Sequence, residues 1–190
     1  MATTLQTLID ETADYIKVDL DDDEDSATIE KRITSALNEA KNLISQRIRL
    51  TTSENVTLDE NACFDVTDLT KTFWGLVTVK VGSGNVGTQE QNGLIWCSAS
   101  PLETVAVEYE YIPADMTVAT DAYPLPAAVS FRLLCYYAAA RYYEIKGTST
   151  SLNKYRYWQN EWESGLNALK GGSKYARRRI RATYNLGDCE

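Results

Sequence analysis

A chain of 190 residues with 44% hydrophobic side chains and a net charge of −8 reads as one globular domain, or as one domain with a sizeable insertion. It has no histidine, which removes Ser–His and Cys–His nucleophilic pairs and every histidine-bound metal, so any catalysis would rest on carboxylates, Lys, Tyr or Cys. No apolar run approaches the roughly 18 residues of a membrane span, and the opening Met-Ala-Thr-Thr-Leu-Gln lacks the basic-then-apolar pattern of a secretory signal, so a cytoplasm-like compartment is expected.

In chain order, Leu5, Leu8, Ile9, Thr12, Ala13 and Ile16 fall at helical spacing over residues 4–17. Asp19 to Asp25 is a loop too charged to bury. Helical period returns over 26–48 with Ile29, Ile33, Ala36, Leu37, Ala40, Leu43, Ile44 and Ile48, and Asp25 or Ser26 can cap its first turn. The two stripes imply an antiparallel helical hairpin over residues 1–50. Near residue 50 the period changes. Thr51-Thr-Ser-Glu-Asn is turn-like, whereas Ala62–Val66, Trp74–Val81, Leu94–Cys97 and Thr104–Ile112 read as four strands of one antiparallel sheet within 51–120. Helix resumes after Tyr123-Pro-Leu-Pro, with Pro126 in the first turn. This helix is apolar on nearly every side and so should be central to its bundle. Gly147 closes it, and Leu152, Tyr155, Trp162, Leu166 and Leu169 give the last helix a narrower stripe, completing a second hairpin over 121–170. Gly171-Gly172 should stop that helix and release a basic arm, 171–190. The expected fold class is therefore α+β, mainly α: a four-helix unit of two hairpins with an inserted antiparallel sheet and an extended C-terminal arm.

Charge is unevenly spread. Residues 170–190 hold six Lys/Arg against Asp188 and Glu190, a net of +4, which leaves thirteen cations against twenty-five carboxylates and a net of −12 in the rest. An acidic body with a basic tail can bind its own copies head to tail, or a nucleic acid. The four cysteines, Cys63, Cys97, Cys135 and Cys189, contain no Cys-x-x-Cys pair and read as buried free thiols rather than a zinc site.

Three motifs invite a sharper reading. Gly82-Ser-Gly84-Asn-Val-Gly87 matches a dinucleotide-binding loop, but too few residues precede the next strand for the helix that such a loop requires, so a hairpin loop is the better reading. Asp19, Asp21, Asp23, Asp25 and Glu30 fall at calcium-loop positions, yet Glu24 stands where the turn needs glycine, which leaves a solvated acidic loop or weak divalent binding. Glu108 and Glu110 share one strand face, which exposed strand residues explain. No catalytic residue, metal or cofactor is expected. The arm, with Arg177-Arg-Arg-Ile-Arg181 between Tyr175 and Tyr184, mixes charge with stacking groups; protein docking is favoured over nucleic-acid binding because the body repels phosphates.

The run Val105-Ala-Val-Glu-Tyr-Glu-Tyr-Ile-Pro-Ala-Asp-Met, the Tyr123-Pro-Leu-Pro segment and the Tyr/Ala-rich helix after it resemble the head–tail connector (adaptor) proteins of tailed bacteriophages. Leu8-Ile-Asp-Glu-Thr and Ile33-Thr-Ser-Ala-Leu-Asn-Glu-Ala are similar to that family's opening helices, so the resemblance covers nearly the whole layout. It implies a virion structural protein of the neck, assembled in the host cytoplasm and not an enzyme. It implies a ring of copies, commonly twelve, beneath a portal protein. Phage DNA would pass through without sequence-specific binding, no membrane would be involved, and the next neck or tail protein would attach below. Docking through a C-terminal arm is also implied, and the matching positions are Tyr175, Arg177, Arg178, Arg179, Ile180, Arg181 and Tyr184. The alternative function is a nucleic-acid-binding module using the same basic arm.

Overall fold

The computed structural model describes residues 3–18, 25–146 and 148–172. Four helices occupy its two ends in sequence: α1 (Leu5–Ile16), α2 (Ser26–Ile48), α3 (Arg132–Lys146) and α4 (Ser149–Gly172). Thr4 caps α1 by accepting from the Thr7 N–H. Lys17 and Arg49 end α1 and α2 in the left-handed conformation, each returning its N–H to the last turn. Asp25 sits at the N-cap of α2 without a side-chain cap bond. α3 begins at Arg132, later than the proline placement suggested. Pro126 instead accepts the Val129 N–H at 2.8 Å in a separate turn.

α3 lies at the centre. Leu134, Cys135, Ala138, Ala139 and Ala140 are almost fully buried. Its small residues let three neighbours approach on three sides. Cys135 and Tyr143 reach the carbonyls of Leu8 and Ile16, so α1 runs alongside α3 in the same sense. Arg141 meets Glu39 of α2, whose start faces the end of α3. Tyr137 packs on Trp162 at 4.9 Å between ring centres, and a side chain at Gly165 would collide with Leu133, which makes α3 and α4 an antiparallel hairpin in close contact. Leu152, placed on the buried stripe by its spacing, is exposed.

The central segment corrects the expected fold class. At 46% helix and 26% strand the chain is a mixed α+β fold rather than mainly α, and it holds two sheets rather than one. Seven strands are formed: β1 (Thr51–Thr57), β2 (Cys63–Asp65), β3 (Thr72–Val81), β4 (Gly84–Asn85), β5 (Thr88–Gln91), β6 (Leu94–Cys97) and β7 (Thr104–Ile112). The first sheet runs β1-β7-β3-β4 and the second β2-β6-β5, antiparallel throughout. β7 alternates as its sequence demands, with Val105, Val107 and Tyr109 fully buried and Ala106, Glu108 and Glu110 on the other face. Those three pack with Leu58, Phe64, Val79 and Ile95 into a core of their own, separate from the helical one. β1 falls in the stretch that reads as a turn. Its register with β7 is unbroken from Thr51↔Glu110 to Thr57↔Thr104.

Polar groups join the two cores. Lys41 is fully buried and its Nζ donates at 2.6 Å both to the Pro113 carbonyl and to Asp115. Three residues earlier on α2, the Asn38 amide both donates to and accepts from the Met116 backbone, as a neighbouring strand would. The start of the chain is tied in by Leu5 N–H to Asp121 and Tyr123 N–H to Thr3.

Within the β core, Glu54 accepts from Thr70 and from the Tyr109 hydroxyl at 2.6 Å, and Tyr109 in turn accepts the Lys71 N–H. Desolvation works to raise the Glu54 pKa, but the hydrogen bonds from Thr70 and Tyr109 together hold it below the ordinary value. Burial pushes the Tyr109 phenol up to about 12, reinforced by its bond to Glu54. A carboxylate whose folded pKa is depressed contributes stability above its unfolded pKa and loses it as pH falls through the folded one. Tyr109→Phe is therefore expected to cost about 1–2 kcal/mol at neutral pH. It should also make unfolding in urea less pH-dependent below the unperturbed carboxylate value of 4.5. Equal losses at neutral and strongly acid pH would contradict this account.

Candidate functional site

The arm residues singled out in the sequence, Tyr175, Arg177, Arg178, Arg179, Ile180, Arg181 and Tyr184, lie outside the described residues. So do Asp19, Asp21 and Asp23 of the calcium-like pattern. Of its remaining members, Asp25 precedes α2 and Glu30 lies within it. The described residues hold no group of three or more potential metal ligands. α4 includes Gly171 and Gly172, so the two glycines lie within the described helix rather than stopping it ahead of the arm.

The glycine-rich loop is a strand–turn–strand. β3 passes through Gly82, at φ +56, into β4 and then β5, with no helix for a pyrophosphate to rest on. Glu110 pairs with Arg49 at 3.5 Å across the sheet surface, whereas Glu108, on the same strand face, forms no ion pair among the described residues. Cys63, Cys97 and Cys135 are free and buried. Burial raises all three thiol pKa values, that of Cys135 to about 12, so each is a poor nucleophile at neutral pH.

Two surfaces remain as candidates for contact with other molecules. The first is an aromatic patch where α1, α3 and α4 meet. Tyr15 stacks on Trp158 at 4.7 Å and on Tyr136 at 5.6 Å, and Tyr157 abuts Trp158 edge-on at 4.8 Å. Tyr157 is 56% exposed, and Leu152 is also exposed on α4. The Tyr15 hydroxyl donates to Glu11, which also meets Arg132 at 3.3 Å, so the patch is rimmed by a fixed charge pair. The aromatic spacing in the sequence suggested core or interface; the structure divides it, with Tyr137, Tyr142, Tyr143 and Trp162 buried and the Tyr157 side exposed. The second surface is the sheet flank formed by β1, with Trp74 exposed on β3 of the same sheet. Sequence reasoning missed this flank because the residues of β1 are polar.

A groove of about 320 Å³ between α2 and α3 gathers Arg32, Arg141 and Lys146 over Ile29, Ile33 and Tyr142. Arg141 is already neutralised there by Glu39 and Glu144, and Lys146 lies over the Tyr142 ring. The groove is therefore poorly suited to phosphate. No helix among the described residues is long and apolar enough to cross a membrane. No protein-family model matches the chain, and no curated protein matches its sequence.

Proposed function

We propose that the chain is a structural subunit of a tailed-phage virion, a head–tail adaptor that forms a ring beneath the portal. The ring gives DNA a conduit and offers the next neck or tail component a place to attach. The observation that carries this reading is the run from Val105 to Tyr143. There an alternating strand, a proline-bounded connection and a Tyr/Ala-rich central helix follow in the order that resembles that family. The helix–helix–β–helix–helix layout supports it, as does the stacked aromatic patch, whose composition suits the core of a protein interface. An acidic body suits a conduit, because it repels the phosphates that pass. The arm supplies the charge that finds an acidic partner and the Tyr and Ile side chains that hold it. In this reading the protein has no catalytic role, assembles in the host cytoplasm and resides in the virion neck.

Co-sedimentation with assembled portals tests the proposal. The full chain is expected to pellet with portals and to leave DNA unshifted on gels at moderate salt. Arg177→Ala, Arg178→Ala and Arg179→Ala together should weaken attachment and make it less salt-dependent. Sequence-independent DNA binding, lost in the same triple variant and without portal attachment, would instead support the nucleic-acid module.

A further inference from the structure

β1 presents an unprotected strand edge. Natural proteins guard such edges with short strands, proline, lysine or bulges, because unpaired backbone groups recruit other chains. The rest of these sheets follows that rule. β2 has three residues and β5 four, and β3 carries two register shifts, between Phe73 and Gly75 and between Leu76 and Thr78. β1 has seven residues, an unbroken register and neither proline nor lysine. The bonds Tyr111 N–H to Leu50 and Leu58 N–H to Glu103 set its phase. Thr52, Glu54 and Val56 therefore bond β7, while the N–H and C=O groups of Thr51, Ser53, Asn55 and Thr57 point outward without a partner among the described residues.

The flank is also acidic. Glu108 lies opposite Ser53 one strand inward, Glu110 lies opposite Thr51 and is shared with Arg49, and Glu54, which accepts from Thr70 and Tyr109, lies on the edge strand itself. Beyond Gly172 the chain has eighteen more residues, and within them Tyr175-Ala-Arg-Arg-Arg-Ile-Arg-Ala-Thr-Tyr184 contains no proline or glycine. Its Arg177, Arg179 and Arg181 recur at the period of two that places side chains on one strand face.

We propose that this segment of a second copy of the chain adds to β1 as an antiparallel strand, with Arg179 opposite Ser53. In that register Arg177, Arg179 and Arg181 lie over Asn55, Ser53 and Thr51, short side chains that leave room to reach Glu108 and Glu110. On the other face Arg178 meets Glu54, Ala176 meets Val56 and Ile180 meets Thr52. Backbone hydrogen bonds supply affinity and the arginines supply register, as in other strand-addition complexes. The donor is another copy because Gly165 of α4 packs on Leu133 at the start of α3, and the seven residues that follow carry α4 on toward the end of the bundle where α2 hands over to β1. An antiparallel arm must enter at Thr57, about 20 Å further along the strand. Ser173 and Lys174 span only about 7 Å. The choice of donor rests on the ring reading above; the receptivity of β1 does not.

The test mixes two full-length preparations, one carrying Val56→Cys and the other Ala176→Cys, both with Cys189→Ser, under mild oxidation. These positions form a non-hydrogen-bonded pair in the proposed register, where side chains are closest. A disulfide-linked heterodimer is expected, and it should be lost when Asn55→Pro is added to the first preparation, since proline on an edge removes only an outward N–H. No heterodimer overturns the proposal. So does a bridge that, in a third preparation carrying both Val56→Cys and Ala176→Cys, forms only within single chains. Electron microscopy of the same samples separates the two ideas: rings without the cross-link leave the adaptor reading standing and remove strand addition, and the cross-link without rings does the reverse.

Discussion

Replacing Lys41 by alanine is expected to destabilise the protein by about 3 kcal/mol. The lysine is 0% exposed, and its stem fills space between α2 and the segment that leaves β7. Truncation leaves a cavity and strips the Pro113 carbonyl of its donor. Its ionic partner, Asp115, is 63% exposed and can return to water, so the ion pair itself is a minor part of the loss. Asp115→Ala leaves the buried ammonium with the Pro113 carbonyl alone and should cost about 1–2 kcal/mol, and Lys41→Met, which keeps the volume and removes the charge, should cost less than Lys41→Ala. Urea unfolding of the three variants measures the ordering. An Asp115→Ala loss equal to that of Lys41→Ala would show that the charge pair, not the packed stem and the carbonyl, holds the β segment to the bundle.

Deleting residues 173–190 is expected to abolish attachment to portals, because it removes the strand that links copies into the ring, while leaving a folded, soluble protein. Among the described residues the helical core already draws on four helices, as far as Leu169, and the β core on residues up to Tyr111. Stability should therefore stay close to that of the full chain. The arm carries five cations against Asp188 and Glu190. Even two charge-assisted pairs at about 1.5 kcal/mol each correspond to roughly a hundredfold in affinity. Portal attachment measured by sedimentation at two salt concentrations gives the result. Unchanged affinity after deletion would reduce the arm to a solvated tail.

The helices were legible in the sequence because burial there follows a single period. Leu5, Leu8, Ile9 and Ile16 in α1, and Ile29, Ile33, Leu37 and Ile44 in α2, are core residues at the spacing that announces them. β7 was equally plain, since one face of it is fully buried. What escaped was β1, β4 and β5, whose residues are polar because they lie at sheet edges or in exposed ribbons. Hydrophobic alternation reports burial, not pairing, so a strand held by backbone bonds to β7 alone leaves no such signal. The same blindness concealed the second sheet, because β2 and β6 read as short apolar pieces without their partner β5. Lys41 was invisible for the opposite reason: a lysine in a helical stripe reads as exposed, and only the fold shows the carbonyl it serves. The basic arm was conspicuous in the sequence, yet the flank proposed to receive it was the part read as a turn.

Electron microscopy of the purified full-length protein, alone and mixed with portals, tests the adaptor reading most directly. Rings with a central hole wide enough for duplex DNA, stacked on the portal when it is present, are the predicted result. Monomers that form no ring and leave portals bare would contradict it.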